Sequence, residues 1–412
     1  MRITEETPVK TILETHPETF DVFLANGFSG MSLPQLKETA GTFTKLKTLL
    51  KVHNMNTELF LYHLEKKILD TENERVFLLD DFQPGEKLDF YGNTICPLKF
   101  TFKDALEDMV KARFQKDGTV RNCYVESGRG DNGFCDDIWM GTHIKTFPTL
   151  VFSKEFNQYL GRHFMNEMCG KGYFKTDFYK NVNPKIKEAG ILDDQGDFCV
   201  YGVMADIFLV DKGQLEGLPI PKTTADLLNP IYKDKIVIFG KQMDEVSNAT
   251  LLYIQKDYGD EGLKQFAHNV KCALHGSTMS KVAGTNRPEA GAIYIVSGFF
   301  ANTCMKGDLE IVWPEDGSMV LPMYMLVQKE GFSAVQDIAD YITGTQFGKA
   351  CVKAYTPAVN GDVPCCIPDT AKLKWIGWDY IRNHDMDALA KEADLIFTDE
   401  WIKLHPGQEL LR

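Results

Sequence analysis

From Lys87 onward, short runs that suit a β-strand alternate with longer stripes that suit a helix, and this alternation leaves few folds open. Residues 87–91, 119–125 and 149–153 read as strands. Phe102, Ala105, Leu106, Met109, Val110 and Phe114 form one apolar helical stripe, and Phe156, Tyr159, Leu160 and Phe164 form another. The order then repeats. Residues 235–239 make a strand, and a helix beginning near Ser247-Asn248 buries Leu251, Leu252, Ile254 and Phe266 across two segments. Residues 292–296 are a further strand, followed by a helix through Phe300 and by strands at 309–313 and 319–327. Such alternation calls for a parallel or mixed sheet with helices on both faces, and right-handed crossovers wind it into doubly wound lobes.

Residues 1–75 follow another pattern and predict a separate helical module. Ile12, Leu13, Phe20, Val22, Phe23 and Leu24 supply an apolar face that Pro17 interrupts and Asn26-Gly27 ends. Leu33, Leu36, Phe43, Leu46, Leu49 and Leu50 mark two more short helices. Asn56-Thr57 caps a last one, with Leu59, Phe60, Tyr62, His63, Leu64 and Ile68 on its face. The acidic stretch 70–86, closing on Pro84-Gly85, reads as a linker.

At 412 residues, with 44% hydrophobic and 25% charged, the chain can bury a sizeable core. A net charge of −13 without basic clusters argues against nucleic acid and anionic membranes as partners. Nowhere does an apolar run reach the roughly 18 residues that a membrane span requires. The first eight residues lack the basic and apolar regions of a secretory signal, so the expectation is a cytoplasmic protein. Ten cysteines without a Cys-x-x-Cys pair form no readable disulfide framework and suit a reducing compartment.

Three stretches carry a resemblance. They are the strand at 201–212, the helix-to-strand unit 226–238, and the Trp313-Pro314-Glu315-Asp316-Gly317 corner, with Lys374–Ile381 as a closing segment. Together they resemble the type 2 periplasmic binding proteins of ABC transporters, nearest to the iron(III), phosphonate and sugar-phosphate branch, over residues 87 to 385. The resemblance implies an α/β, two-lobed type 2 periplasmic binding protein fold with a small all-α N-terminal domain. Lobe 1 would take residues 87–200 and 311–412, lobe 2 residues 201–310, with hinges near 201–212 and 309–327. In the N-terminal module, Ile3-Thr4, Val9, Ile12-Leu13, Pro17, Phe20, Val22-Phe23 and Gly27 resemble the hybrid-cluster-protein-associated redox domain. That family carries cysteines after the glycine, where this chain has Phe28-Ser29-Gly30-Met31, so a docking or dimerisation role is expected in place of a redox one.

In open α/β sheets, ligands bind beyond the carboxyl ends of the strands. That rule selects Asn93, Thr94 and Cys96 after the first strand and Ser127, Gly128 and Arg129 after the second. In the second lobe it selects Ser247 and Asn248, then Ser297 and Gly298. Backbone N–H groups, hydroxyls and the Arg129 guanidinium would suit an anion. Each of these residues is equally at home in a turn.

Ferric-binding members of that branch offer adjacent tyrosines, and this chain has no Tyr-Tyr pair. Tyr253, Tyr258 and Tyr294 stand apart and read as packing aromatics. Cys96, Cys123 and Cys135 with His143 could hold a soft metal, but their spacing matches no zinc signature, and no metal is assigned. Cys365-Cys366 reads as a loop, Asp193-Asp194 as solvated turn carboxylates, and His268 and His275 as flanking the end of a helix. No nucleophile elbow, phosphate loop or His-Glu-x-x-His helix occurs. The expected function is a non-enzymatic cytoplasmic binding protein that closes on a small anionic metabolite, metal or cofactor of unknown identity, with residues 1–75 facing a possible protein partner. The alternatives are an exported transport component, or an enzyme on the same fold that pairs Cys96 or Cys123 with His143.

Overall fold

A computed structural model describes residues 3–24, 32–40, 44–52, 55, 57, 60–61, 63–64, 67–68, 87–92, 94–125, 138–141, 143–240, 248–304, 308–408 and 410. The 70–86 linker, the Asn26-Gly27 stop and Asn56 therefore lie outside the described residues. The chain divides into two compact units, Met1–Val76 and Phe77–Arg412.

Helices Val9–Thr15, Phe20–Phe23, Leu33–Ala40 and Leu46–Val52 make up the first unit. Pro17 cannot continue a helix, so the first one stops at His16 and a 3-10 turn, Pro17–Thr19, restarts the chain. The Thr19 hydroxyl donates to the His16 carbonyl at 2.6 Å and holds that corner. Ile12, Leu13, Phe23, Leu46, Leu50 and Leu64 close the core without exposure, and Phe23 meets Phe60 edge-on at 5.1 Å.

The second unit is built on one sheet. Its strands are β1 (Phe90–Gly92), β2 (Cys123–Val125), β3 (Leu150–Lys154), β4 (Cys199–Asp211), β5 (Ile236–Phe239), β6 (Val270–Leu274), β7 (Ile293–Ser297), β8 (Leu309–Val312), β9 (Ser318–Val327) and β10 (Leu373–Lys374). The main path runs β2-β1-β3-β9-β4-β7-β5-β6, with β8 on β4 and β10 on β9. The outer groups, β2-β1-β3 and β7-β5-β6, are parallel, whereas β9 and β4 run antiparallel to their neighbours in the main path. β4 spans the whole unit. Its first half, through Asp206, pairs with β9, and its second half, from Asp206, pairs with β7 and β8. Packed on both faces, such a strand must be apolar along nearly its whole length, and β4 is.

The helix Cys96–Asp117 covers the β1–β3 side, with Pro97 in its first turn and Gly118 left-handed behind it. Its Phe102 stacks on Phe152 at 4.4 Å, while Phe114, at the end of the predicted stripe, is 43% exposed. On the other side, the helix Asn248–Asn269 is broken at Gly259 (φ 66°), which accounts for the two apolar segments in the sequence.

Three expectations need correction. Only Cys123–Val125 of the predicted strand 119–125 is a strand, because Arg121 is buried there as an ion pair, donating to Asp337 at 2.9 and 2.7 Å. The Phe156–Phe164 helix is a 3-10 turn, Gln158–Leu160, followed by the helix Arg162–Met168. Nor do residues 311–412 all belong with lobe 1. The C-terminal helix Met386–Leu404 packs along Asn248–Asn269: Phe397 lies 5.9 Å from Phe266, and Trp401 Nε1 donates to the Val270 carbonyl at 2.8 Å. Beyond it, the Ala273 N–H donates to the Leu410 carbonyl at 2.8 Å. Trp401, fully buried, makes the second lobe its anchor.

Candidate functional site

All the parallel strands of a lobe end on one side, so six strand ends define two rims: Gly92, Val125 and Lys154 in the first lobe, and Phe239, Leu274 and Ser297 in the second. Asn93, Ser127, Gly128, Arg129 and Ser247 lie outside the described residues. Cys96 and Asn248 open the helices Cys96–Asp117 and Asn248–Asn269, with side chains likewise outside them. Thr94 is buried after β1, its hydroxyl 3.2 Å from the Tyr201 hydroxyl. Tyr201 in turn stacks on Phe152 at 4.7 Å, and burial pushes its hydroxyl well above the usual range, so it stays neutral. Ser297 and Gly298 end β7 at the start of the helix Gly298–Thr303, and a Cβ on Gly298 would stand 3.2 Å from the Tyr355 carbonyl.

The two rims meet where β4 changes partners. Lys154 lies opposite Met323, Met204 opposite Leu321, and Asp206 opposite both Met319 and Ser297. Directly opposed and alternate residues share a face, so all of these look out of one side of the sheet. On the other face, Val203, Ala205 and Val320 are closed off. On this one, Lys154, Met204, Asp206, Ser297 and Leu321 remain partly exposed. They form an open floor between two packed cores.

Asp206 is the floor's unusual member. It has no hydrogen-bond or ion-pair partner among the described residues, and burial, reinforced by Glu155, pushes its carboxyl up to about 7. Glu155 takes an ion pair from Lys154 Nζ at 2.6 Å, and its left-handed backbone (φ 65°) lets its N–H reach the Pro322 carbonyl at 2.7 Å. Choosing loops by turn chemistry passed over Asp206. Its signal in the sequence is a lone carboxylate inside the apolar run Val203–Val210.

His275 also needs correction. It does not sit at the end of the long helix, because β6 intervenes; it caps the start of the helix Gly276–Val282. Its Nδ1 accepts from the Ser277 N–H at 3.3 Å, between Phe239 (5.5 Å) and Phe300 (6.0 Å). Burial, with a smaller effect of Lys281, lowers its pKa, so the neutral form is favoured where a positive charge would oppose the helix dipole. His275→Ala is expected to cost about 1 kcal/mol through the lost cap. A base whose folded pKa lies below its unfolded one contributes stability above pH ~6.5, lost as the pH falls through that range. Urea melts of both proteins between pH 5 and 8 check this: the variant's acid limb should be flatter, and identical limbs would contradict it.

Metal and nucleophile chemistry find little support. Cys123 is wholly buried in the lobe-1 core, and burial pushes its thiol up to about 12, far from the thiolate a nucleophile or ligand needs, while His143 is exposed. Cys135 lies outside the described residues. Among the described residues, no three His, Cys, Asp or Glu side chains are grouped to hold an ion. Tyr253 and Tyr294 are buried, bound to the Val320 carbonyl and the Gly291 N–H, which suits the packing role. Cys365 is an exposed loop thiol, and burial pushes its neighbour Cys366 up to about 12. Asp193, expected to be solvated, is instead fully buried against Arg382.

Comparison with known proteins agrees with this geometry. Residues 145–384 match the family model described as bacterial extracellular solute-binding protein. Residues 3–61 match a second model, described as a domain of unknown function (DUF1858). No curated protein matches the chain. Among solved structures, the chain is similar to a ferric binding protein from Campylobacter jejuni, with a TM-score of 0.52, 14% identity, and coverage of 76% of this chain and 99% of that one. It is also similar to a Bordetella ferric binding protein, with a TM-score of 0.50, 12% identity, and coverage of 76% and 99%. At such identities the likeness is one of fold, and the fold is the two-lobed periplasmic binding protein type.

Proposed function

Since the chain belongs to the bacterial extracellular solute-binding proteins, we propose that its two lobes close over a small solute seated at the β4–β9 crossover. The observation that carries this is the partly exposed floor, Lys154, Met204, Asp206, Ser297 and Leu321, set between the two rims of strand ends. Closure about β4 and β9 would exclude water there and strengthen every polar contact, so solute would shift the balance toward the closed form. The buried, protonated Cys123 supports binding without covalent chemistry. Native mass spectra of the protein isolated from anaerobic expression, taken with small-angle scattering, test the reading. The expected result is a non-covalent mass lost on denaturation, together with a smaller radius of gyration in the loaded protein. A clean unliganded mass, with no compaction across a metabolite panel, would overturn it.

In this reading the protein works in a reducing compartment. Its ten cysteines, of which the eight described are free thiols, support that. Recovery of the native protein outside the cytoplasmic membrane on cell fractionation would contradict it. Residues 1–75, which contain no cysteine, serve as a docking module with no thiol chemistry of their own.

A further inference from the structure

Three other carboxylates of this unit are held by backbone N–H groups. Asp193 accepts from the Asp197 and Phe198 N–H groups at 3.0 Å, and Asp226 from Lys222 and Thr223 at 2.8 and 2.9 Å. Asp211 accepts from Gly213, Gln214 and Gly284 at 3.0, 3.2 and 3.1 Å. Asp206 accepts from nothing described, although it stands at the one place where both lobes share a strand. Asp206 is partly exposed on the cleft floor, so its carboxylate, without a donor from the described residues, is left to solvent or to a molecule that enters the cleft with donors of its own.

We propose that Asp206 anchors a positively charged, hydrogen-bond-donating group of the solute, so that the cleft takes an organic cation bearing an ammonium or guanidinium group on an apolar stem. This rests on the reading that the crossover is the solute site. The groups around Asp206 favour that charge. Glu155 adds a second negative charge, and Lys154, the nearest cation on the floor, is committed to Glu155 at 2.6 Å. Tyr253, which feels the Asp206 charge, is a neutral phenol whose hydroxyl already donates to the Val320 carbonyl at 2.8 Å. An anion placed here would meet two carboxylates and no uncommitted donor from these residues. Met204 and Leu321 on the same face offer apolar surface to the stem, and Ser297 offers a hydroxyl. A cation would also draw the carboxyl back toward ionisation, so its affinity should rise with pH through the region near 7 where burial and Glu155 place Asp206.

The test is calorimetry on the full chain with 1,4-diaminobutane and butylguanidine, set against inorganic phosphate, succinate and calcium chloride, at pH 6 and 8. The cationic probes should bind and the others should not, with affinity higher at pH 8. Asp206→Asn should weaken them tenfold or more at pH 8 while circular dichroism stays unchanged, and Asp206→Glu should recover part of the loss. If phosphate, succinate or calcium binds with compaction, the solute reading stands and the cation inference falls. Cation binding that Asp206→Asn leaves intact overturns the role of Asp206. If no probe binds at millimolar concentration, the cation class is rejected, and with no compaction in any of them the solute reading fails as well.

Discussion

Asp193→Ala is expected to destabilise the second unit by about 3–5 kcal/mol, the range seen when one partner of a buried ion pair is removed. The Asp193 side chain has no exposure, and it receives the Arg382 guanidinium together with the Gln195, Asp197 and Phe198 N–H groups. Its loss leaves three backbone donors without an acceptor and the largely buried guanidinium with only the exposed Asp194 at 3.8 Å. The loop it organises leads directly into β4, where Phe198 stacks on Trp378 at 5.3 Å, and Trp378 Nε1 donates to the Ile191 carbonyl at 2.8 Å. Arg382 sits 5.3 Å over the same indole. Thus one carboxylate ties the entry of β4 to the helix Trp378–Asn383. All five tryptophans lie in the second unit, at 139, 313, 375, 378 and 401, so urea unfolding followed by tryptophan fluorescence reads this unit alone. A loss below about 1 kcal/mol, the ordinary value of an exposed pair, would show that the carboxylate is not structural.

Gly92→Ala should be as severe, for a different reason. Gly92 pairs with Phe152 at the end of β1 with φ +153°, and a Cβ there would lie 2.0 Å from the Phe152 carbonyl oxygen. Backbone stands in the way, so no side chain can rotate aside. The strand must either separate from β3 or take another register, and a loss of about 3 kcal/mol or more is expected. Gly118→Ala is the control. Gly118 is also left-handed (φ +73°), but nothing lies within 4 Å of its Cβ position, so only the backbone cost of about 1 kcal/mol applies. Hydrogen exchange of the Gly92–Phe152 pair should accelerate in the first variant and not in the second. Equal effects would mean that strain, and not the close approach of the two strands, makes Gly92 a glycine.

Much of the fold could be read in the chain because periodicity is a local signal. The strands at 150–154, 236–239, 293–297 and 318–327 and the two-segment helix 248–269 fall close to where the alternation puts them, and the structure adds the break at Gly259. β6 escaped notice because its five residues follow the helix with no turn residue between, so His275 looked like part of a helix end. The C-terminal helix was assigned to the wrong lobe because nothing in its sequence says which face it will cover.

What the sequence by itself determined is most of the elements and the two α/β lobes, since these follow from which residues must leave water and at what period. Only the tertiary structure decided which polar residues are spent and which are spare. Asp193, Asp206, Asp211 and Asp226 are the same residue type, and none of them is fully exposed. Three of them are satisfied by backbone N–H groups that register and turns happen to bring within 3.2 Å, and one is left without. Most of those donors lie two to five residues from the carboxylate, in turns that bend the backbone toward it, and the Gly284 N–H reaches Asp211 from 73 residues away, whereas Asp206 stands mid-strand, where the backbone pairs along the ladder.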